Sequence, residues 1–146
     1  MFKSILVAYD NSEPSRRALE RAAGLAEAFG STVLVASIAP VVHSHPRAPA
    51  TPDTERPSVA APEDVDRATE TLVERGITAE GVEATGDPAS SIAKLAEQRG
   101  VDVVVIGSRG LGAVQRVLGQ SVSQTVSRRV RCDVLIVHPG PEHGDK

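Results

Sequence analysis

The residues with the most to offer chemically are two glycines set between a strand-like run and a helix-like one. Gly107-Ser108-Arg109-Gly110 follows the apolar run Val101 to Ile106 and leads through Leu111-Gly112-Ala113 towards Ser121-Val122-Ser123. Such a pattern spells a strand, a loop lined by backbone, and the start of a helix. A loop of this kind suits an anion, because glycine lets backbone N–H groups approach closely and a helix N-terminus adds partial positive charge. Two glycines by themselves also serve merely to turn a chain, so the anion reading needs the other half of a site. Asp10 is the second candidate. It ends the apolar run Ile5 to Ala8 within Tyr9-Asp10-Asn11-Ser12, where an aspartate either faces a ligand or caps the next helix. Arg109 and Arg116 can reach phosphate oxygens, although loop arginines are commonly just solvated. Ser121 is a phosphate donor or a helix cap, and the two roles are compatible.

Other chemistry finds little support. His43-Ser44-His45 has metal-ligand residue types, but it sits in a proline-rich stretch with no carboxylate or thiol cluster beside it, so solvated histidines are expected and no metal site is assigned. Cys132 is the single cysteine, which excludes an internal disulfide and a cysteine-based zinc site; with no base in view it reads as a small apolar residue. Neither a Ser-His-Asp order nor a Gly-x-x-x-x-Gly-Lys sequence occurs, so no catalytic residue is assigned. A net charge of −3 offers no general attraction to nucleic acid or anionic membranes, and Arg128, Arg129 and Arg131 read as complements to a helix C-terminus. No leader or apolar run near ~20 residues is visible, so a cytoplasmic, membrane-free protein is expected.

The elements that must position Asp10 and Gly107 follow from hydrophobic periodicity. Ile5–Ala8 reads as a strand buried on both faces. Ala18, Leu19, Ala22, Ala23, Leu25, Ala26 and Phe29 then recur at three- and four-residue steps, which predicts a helix ended by Gly30. Thr32–Ile38 is a second strand. Residues 40–62 hold six of the ten prolines, too many for a helix or an inner strand, and are expected to form a mobile loop. A helix over Glu63–Arg75, a weaker strand over Ile77–Ala84, a helix capped by Asp87 with Pro88 in its first turn, and a strand over Val101–Ile106 follow. Helical spacing from Val114 to Val130 and a last strand, Val134–Val137, complete residues 1–139, one domain, with 140–146 as a tail. Strands alternating with helices predict an α/β fold with a mostly parallel, doubly wound sheet, whose ligands bind beyond the carboxyl ends of strands where the winding reverses. Asp10 and Gly107 both stand at carboxyl ends.

Ile5-Leu6-Val7-Ala8-Tyr9-Asp10-Asn11-Ser12, Gly86-Asp87-Pro88 and Val105-Ile106-Gly107-Ser108-Arg109-Gly110-Leu111-Gly112 with Ser121-Val122-Ser123, running on through Cys132-Asp133-Val134-Leu135-Ile136-Val137, resemble the universal stress protein family. The resemblance covers nearly the whole chain apart from the proline-rich stretch and the tail. It implies a single domain with a five-stranded parallel sheet in the order 3-2-1-4-5, of the adenine-nucleotide α-hydrolase-like kind, in which Asp10 and Gly107 flank one crevice. It further implies ATP, with or without Mg, or a related adenine nucleotide as a regulatory ligand, any hydrolysis being slow and incidental. By position, Asp10 would hold the adenosine, Ile38 would contact the base, and Ile106, Gly107 and Gly110 would line the phosphate path, with Ser121 and Val122 binding phosphate. Where the ATP-binding branch carries a further glycine before the serine, this chain has Gln120, and Gly119 stands one residue early. That departure suits the alternative, a non-nucleotide dimeric interaction module of the same fold. The resemblance also implies an antiparallel homodimer through the edge strand Val134–Val137. A dinucleotide oxidoreductase would want Gly-x-Gly-x-x-Gly after the first strand, and a phospho-acceptor receiver an acidic pair there; neither pattern is present.

Overall fold

The computed structural model describes residues 2–39, 59–108 and 122–138. Within them the chain runs β1 (Ser4–Ala8), α1 (Glu13–Phe29), β2 (Thr32–Ala39), α2 (Pro62–Glu74), β3 (Ala79–Thr85), α3 (Pro88–Arg99), β4 (Val103–Gly107), α4 (Val122–Arg129) and β5 (Asp133–Val137). The strands form one sheet of five, all neighbours parallel, in the order β3-β2-β1-β4-β5. The expected fold class and strand order are therefore what the chain adopts.

Why this arrangement follows can be read along β1. Its side chains alternate across the sheet, so Ile5, Val7 and Tyr9 join one apolar cluster with Ala18, Ala22 and Ala26 of α1 and Val65, Ala68 and Leu72 of α2. Leu6 and Ala8 join the opposite cluster with Ala89, Ile92 and Ala96 of α3 and Val122 and Val126 of α4. Ile5, Leu6 and Val7 have no exposed surface, which is why this strand reads as continuously apolar rather than alternating. The chain steps outward from β1 to β2 to β3, then crosses back to β4 on the other side of β1. With crossovers of fixed right hand, that reversal moves the later helices to the opposite face.

Several boundaries shift for identifiable reasons. Ile77, read as the start of the third strand, donates its N–H to Leu72 O at 3.0 Å and is buried beneath the end of α2, so β3 begins two residues later. Val101 likewise donates to Ala96 O at 2.9 Å while finishing α3, and β4 begins at Val103. Asp102 accepts the N–H groups of Lys3 and Ser4 at 2.8 and 2.9 Å, tying the entrances of β1 and β4 together. Pro62, grouped with the proline-rich stretch by sequence, instead opens α2, and Ala60 before it is buried in the core. Residues 40–58 of that stretch, including His43 and His45, lie outside the described residues, as do the helical spacing from Val114 to Ser121 and the tail 139–146.

Helix α2 rests close on β3 because Gly81 has no side chain. A Cβ there would stand 2.9 Å from Val65 Cγ1 and 3.2 Å from Thr69 Oγ1. Gly24, inside α1, has nothing within 4 Å of the corresponding position. Gly81→Ala is therefore expected to lower the unfolding free energy by about 1–3 kcal/mol through overpacking, and Gly24→Ala to raise it by about 0.5–1 kcal/mol through helix propensity. Urea titration of both variants checks the opposite signs.

Candidate functional site

The pairing Val7↔Val105 sets β1 and β4 side by side, so the residues that follow them, Asp10 and Gly107, come out at the same edge of the sheet. Asp10 is 4% exposed. Its Oδ1 accepts the Ser12 N–H at 2.9 Å and the Ser12 hydroxyl, and its own N–H donates to Ser15 Oγ at 3.3 Å. Ser12 is the N-cap of α1, with its side chain accepting from Ser15 N, and Pro14 lies in the first turn. The carboxylate thus sits at the positive end of a helix dipole.

Gly107 is the last residue of β4, and the following N–H, that of Ser108, donates to Val137 O at 2.9 Å. A Cβ on Gly107 would lie 2.8 Å from both Pro14 Cβ and Pro14 O. The first turn of α1 therefore presses directly on the end of β4, and Gly107 is needed for that approach whatever binds nearby. This is a packing role that glycine spacing alone did not reveal.

Ile38 at the end of β2, Ile106 in β4 and Val122 at the start of α4 are buried in one cluster with Ala8, on the α3 and α4 face. The fold thus gathers Asp10 and Gly107 at the β1–β4 edge and Ile38, Ile106 and Val122 in the apolar layer on one side of it. Arg109, Gly110, Gln120 and Ser121 lie outside the described residues, as does Arg116.

At this edge the structure bears out the Asp87 cap expected from sequence and adds contacts of Tyr9, Gly86 and Arg129 that the sequence pattern did not indicate. The Tyr9 hydroxyl donates to Asn11 Oδ1 at 3.0 Å, and Asn11 has a left-handed backbone, φ 64°. The only sequence signal was that asparagine after a strand tolerates such a backbone. Burial raises the Tyr9 phenol above its ordinary pKa, with Arg16 opposing it, so it remains a neutral donor. At the end of β3, Gly86 donates its N–H to Ala39 O at 2.9 Å, and Asp87 caps α3 by accepting the Ser90 N–H at 3.0 Å. Arg129, expected only to complement its own helix, bonds the Ser90 hydroxyl and lies 3.9 Å from Asp87 Oδ2. The Ser90 N–H chiefly, with Arg129 adding a smaller effect, holds the Asp87 carboxyl below its ordinary value. Cys132 is half-buried, and burial pushes its thiol up, away from the reactive thiolate. Among the described residues there is no group of three or more His, Cys, Asp or Glu that could hold a metal ion.

Comparison with known proteins places this geometry in context. The model of the universal stress protein family matches residues 1–138. A universal stress protein of Thermus aquaticus is 35% identical, over 94% of this chain and 99% of its own. Universal stress protein YxiE of Bacillus subtilis is 31% identical, over 94% and 99% respectively. A crystal structure of a universal stress protein in complex with cAMP is 31% identical and superposes with a TM-score of 0.72, covering 94% of this chain and 97% of that one.

Gly107→Ala is expected to destabilise the fold by about 1–3 kcal/mol, since neither the Pro14 ring nor its carbonyl can retreat without moving α1; chemical denaturation reads it without any ligand. Asp87 supplies a pH test. Because its folded pKa is depressed, its contribution is present above the unfolded carboxyl value and is lost as pH falls through and below about 4. Asp87→Asn keeps a good cap. It should be slightly less stable than the native protein at neutral pH, with a shallower loss on acidification so that the two converge below pH ~4, followed by thermal unfolding against pH.

Proposed function

The chain belongs to the universal stress protein family, and we propose that it binds an adenine nucleotide, ATP or a close relative, in the crevice beyond the carboxyl ends of β1 and β4. One observation carries this reading: the strand order β3-β2-β1-β4-β5 puts the reversal of winding between β1 and β4, where open α/β sheets take their ligands, and Asp10 and Gly107 stand at that point. The related universal stress protein solved with cAMP supports the ligand class. Asp10 would accept hydrogen bonds from the ribose or base. Ile38 and Ile106 would offer apolar surface to the adenine, and Gly107, Arg109, Gly110, Gln120, Ser121 and Val122 would follow the phosphates with backbone N–H groups, a hydroxyl and a guanidinium.

We read the nucleotide as a regulatory ligand that is held rather than turned over, taken up as ATP or its magnesium complex. The protein would work in the cytoplasm as a homodimer. β5 is an edge strand of the sheet and Leu135 on it is 38% exposed, so a second copy pairing along Val134–Val137 would cover both the open backbone and the apolar side chain.

A second reading, a dimeric interaction module that binds no nucleotide, draws on a specific observation. Gly107 is already accounted for by its contact with Pro14, and Gln120 occupies the place of a phosphate-loop glycine. Titration calorimetry with ATP, ATP plus magnesium, and cAMP separates the two. Saturable heat at micromolar to millimolar nucleotide, lost in Asp10→Ala, is the expected outcome. Absence of heat with all three ligands, together with ATP binding gained by Gln120→Gly, would establish the interaction module instead.

A further inference from the structure

We infer that Tyr9 and Asn11 are positioning residues for the Asp10 carboxylate: a phenol anchored in the core on one face of the sheet locks the left-handed turn on which the aspartate's pairing depends. The inference rests on the reading that Asp10 meets the nucleotide.

Among the described residues Asn11 is the only non-glycine with positive φ. Asparagine visits that backbone more readily than most residues but still at a steric cost that glycine does not bear, which bonds to its surroundings can offset. Here two bonds do so. The Tyr9 hydroxyl donates to Asn11 Oδ1 at 3.0 Å, and Arg16 Nη1 donates to Asn11 O at 3.1 Å. Tyr9 is 7% exposed and belongs to the cluster under α1 and α2, so the phenol is a fixed post; Arg16 lies in the opening of α1, so the second clamp moves with the helix. The turn is therefore stretched between the sheet core and α1.

What the turn controls lies on either side of it. Asp10 precedes Asn11 and Ser12 follows, and Asp10 Oδ1 accepts both the N–H and the hydroxyl of Ser12. Any rotation at Asn11 moves Ser12 relative to Asp10 and breaks this pairing first. Capping of α1 does not require the phenol, because Ser15 N donates to Ser12 Oγ at 3.4 Å and Ser15 Oγ donates to Ser12 O at 3.0 Å. The Tyr9–Asn11 bond is thus surplus to forming the helix, and its effect falls on the carboxylate.

Tyr9→Phe keeps the ring and removes the bond; Asn11→Gly keeps the left-handed backbone without strain and removes the same bond. Three measurements on each variant and on the double variant decide the matter: urea midpoint, hydrogen exchange of the Ser12 amide by NMR, and affinity for ATP and cAMP by calorimetry. With midpoints near the native value, each single variant is expected to show Ser12 exchange faster and nucleotide affinity weaker by about two- to ten-fold, the worth of one hydrogen bond. The double variant should fall no further than the singles, because both remove one interaction. Native-rate Ser12 exchange in both singles, or native-like nucleotide affinity in both, overturns the inference. If the native chain binds neither nucleotide, the functional reading falls separately, and Ser12 exchange alone decides: accelerated, the two residues position Asp10; unchanged, they do not.

Discussion

The structure depends on β1 being buried on both faces while lying between strands laid down in opposite directions. Every side chain from Ile5 to Ala8 must be apolar, because each one meets a helix layer whichever way it points. Since parallel crossovers keep one hand, reversing the direction of winding at β1 sends α1 and α2 to one face and α3 and α4 to the other. In open α/β sheets such a reversal is where ligands bind, beyond the carboxyl ends of the strands that flank it, here β1 and β4. The core and the candidate site are two consequences of a single topological requirement.

The edge where strands end is held by a different kind of force. Below it, valine, isoleucine and alanine pack without polar partners. At it, backbone groups that have left the ladder are taken up one by one: Ser12 by Asp10, Ser90 by Asp87, Gly86 by Ala39, Ser108 by Val137. A carboxylate thus stands at the N-terminus of both α1 and α3, where the dipole favours negative charge. Such an edge is already organised around anions and their N–H donors. An ionised carboxylate accepts hydrogen bonds, so in the proposed function a ribose hydroxyl could donate to Asp10, whereas a phosphate, itself an anion, needs donors other than these.

Gly107 illustrates how one residue can satisfy two demands. The approach of Pro14 to 2.8 Å of its missing Cβ fixes how closely α1 settles on β4. In the proposed function the same glycine would also lie on the phosphate path, a role that its packing against Pro14 neither requires nor excludes.

Much of this was legible in the chain before any coordinates. Element order and type were encoded locally, in the continuous apolar run of Ile5–Ala8, the three- and four-residue steps of α1, and the Asp87-Pro88 helix start, because hydrophobic period is a property of neighbouring residues. The strand order and the pairing of Asp10 with Gly107 came from family resemblance, since no local pattern records which strand lies beside which. Boundaries at Ile77 and Val101 were misjudged because an apolar residue that finishes a helix looks the same, in sequence, as one that starts a strand. Only the tertiary structure decided that Gly107 faces Pro14, that Arg129 crosses to Ser90 and Asp87, and that Tyr9 turns back to hold Asn11 in a left-handed backbone. The first two are meetings between distant segments, and the third depends on a backbone angle; each is set by how the layers settle on the sheet, which sequence period does not encode.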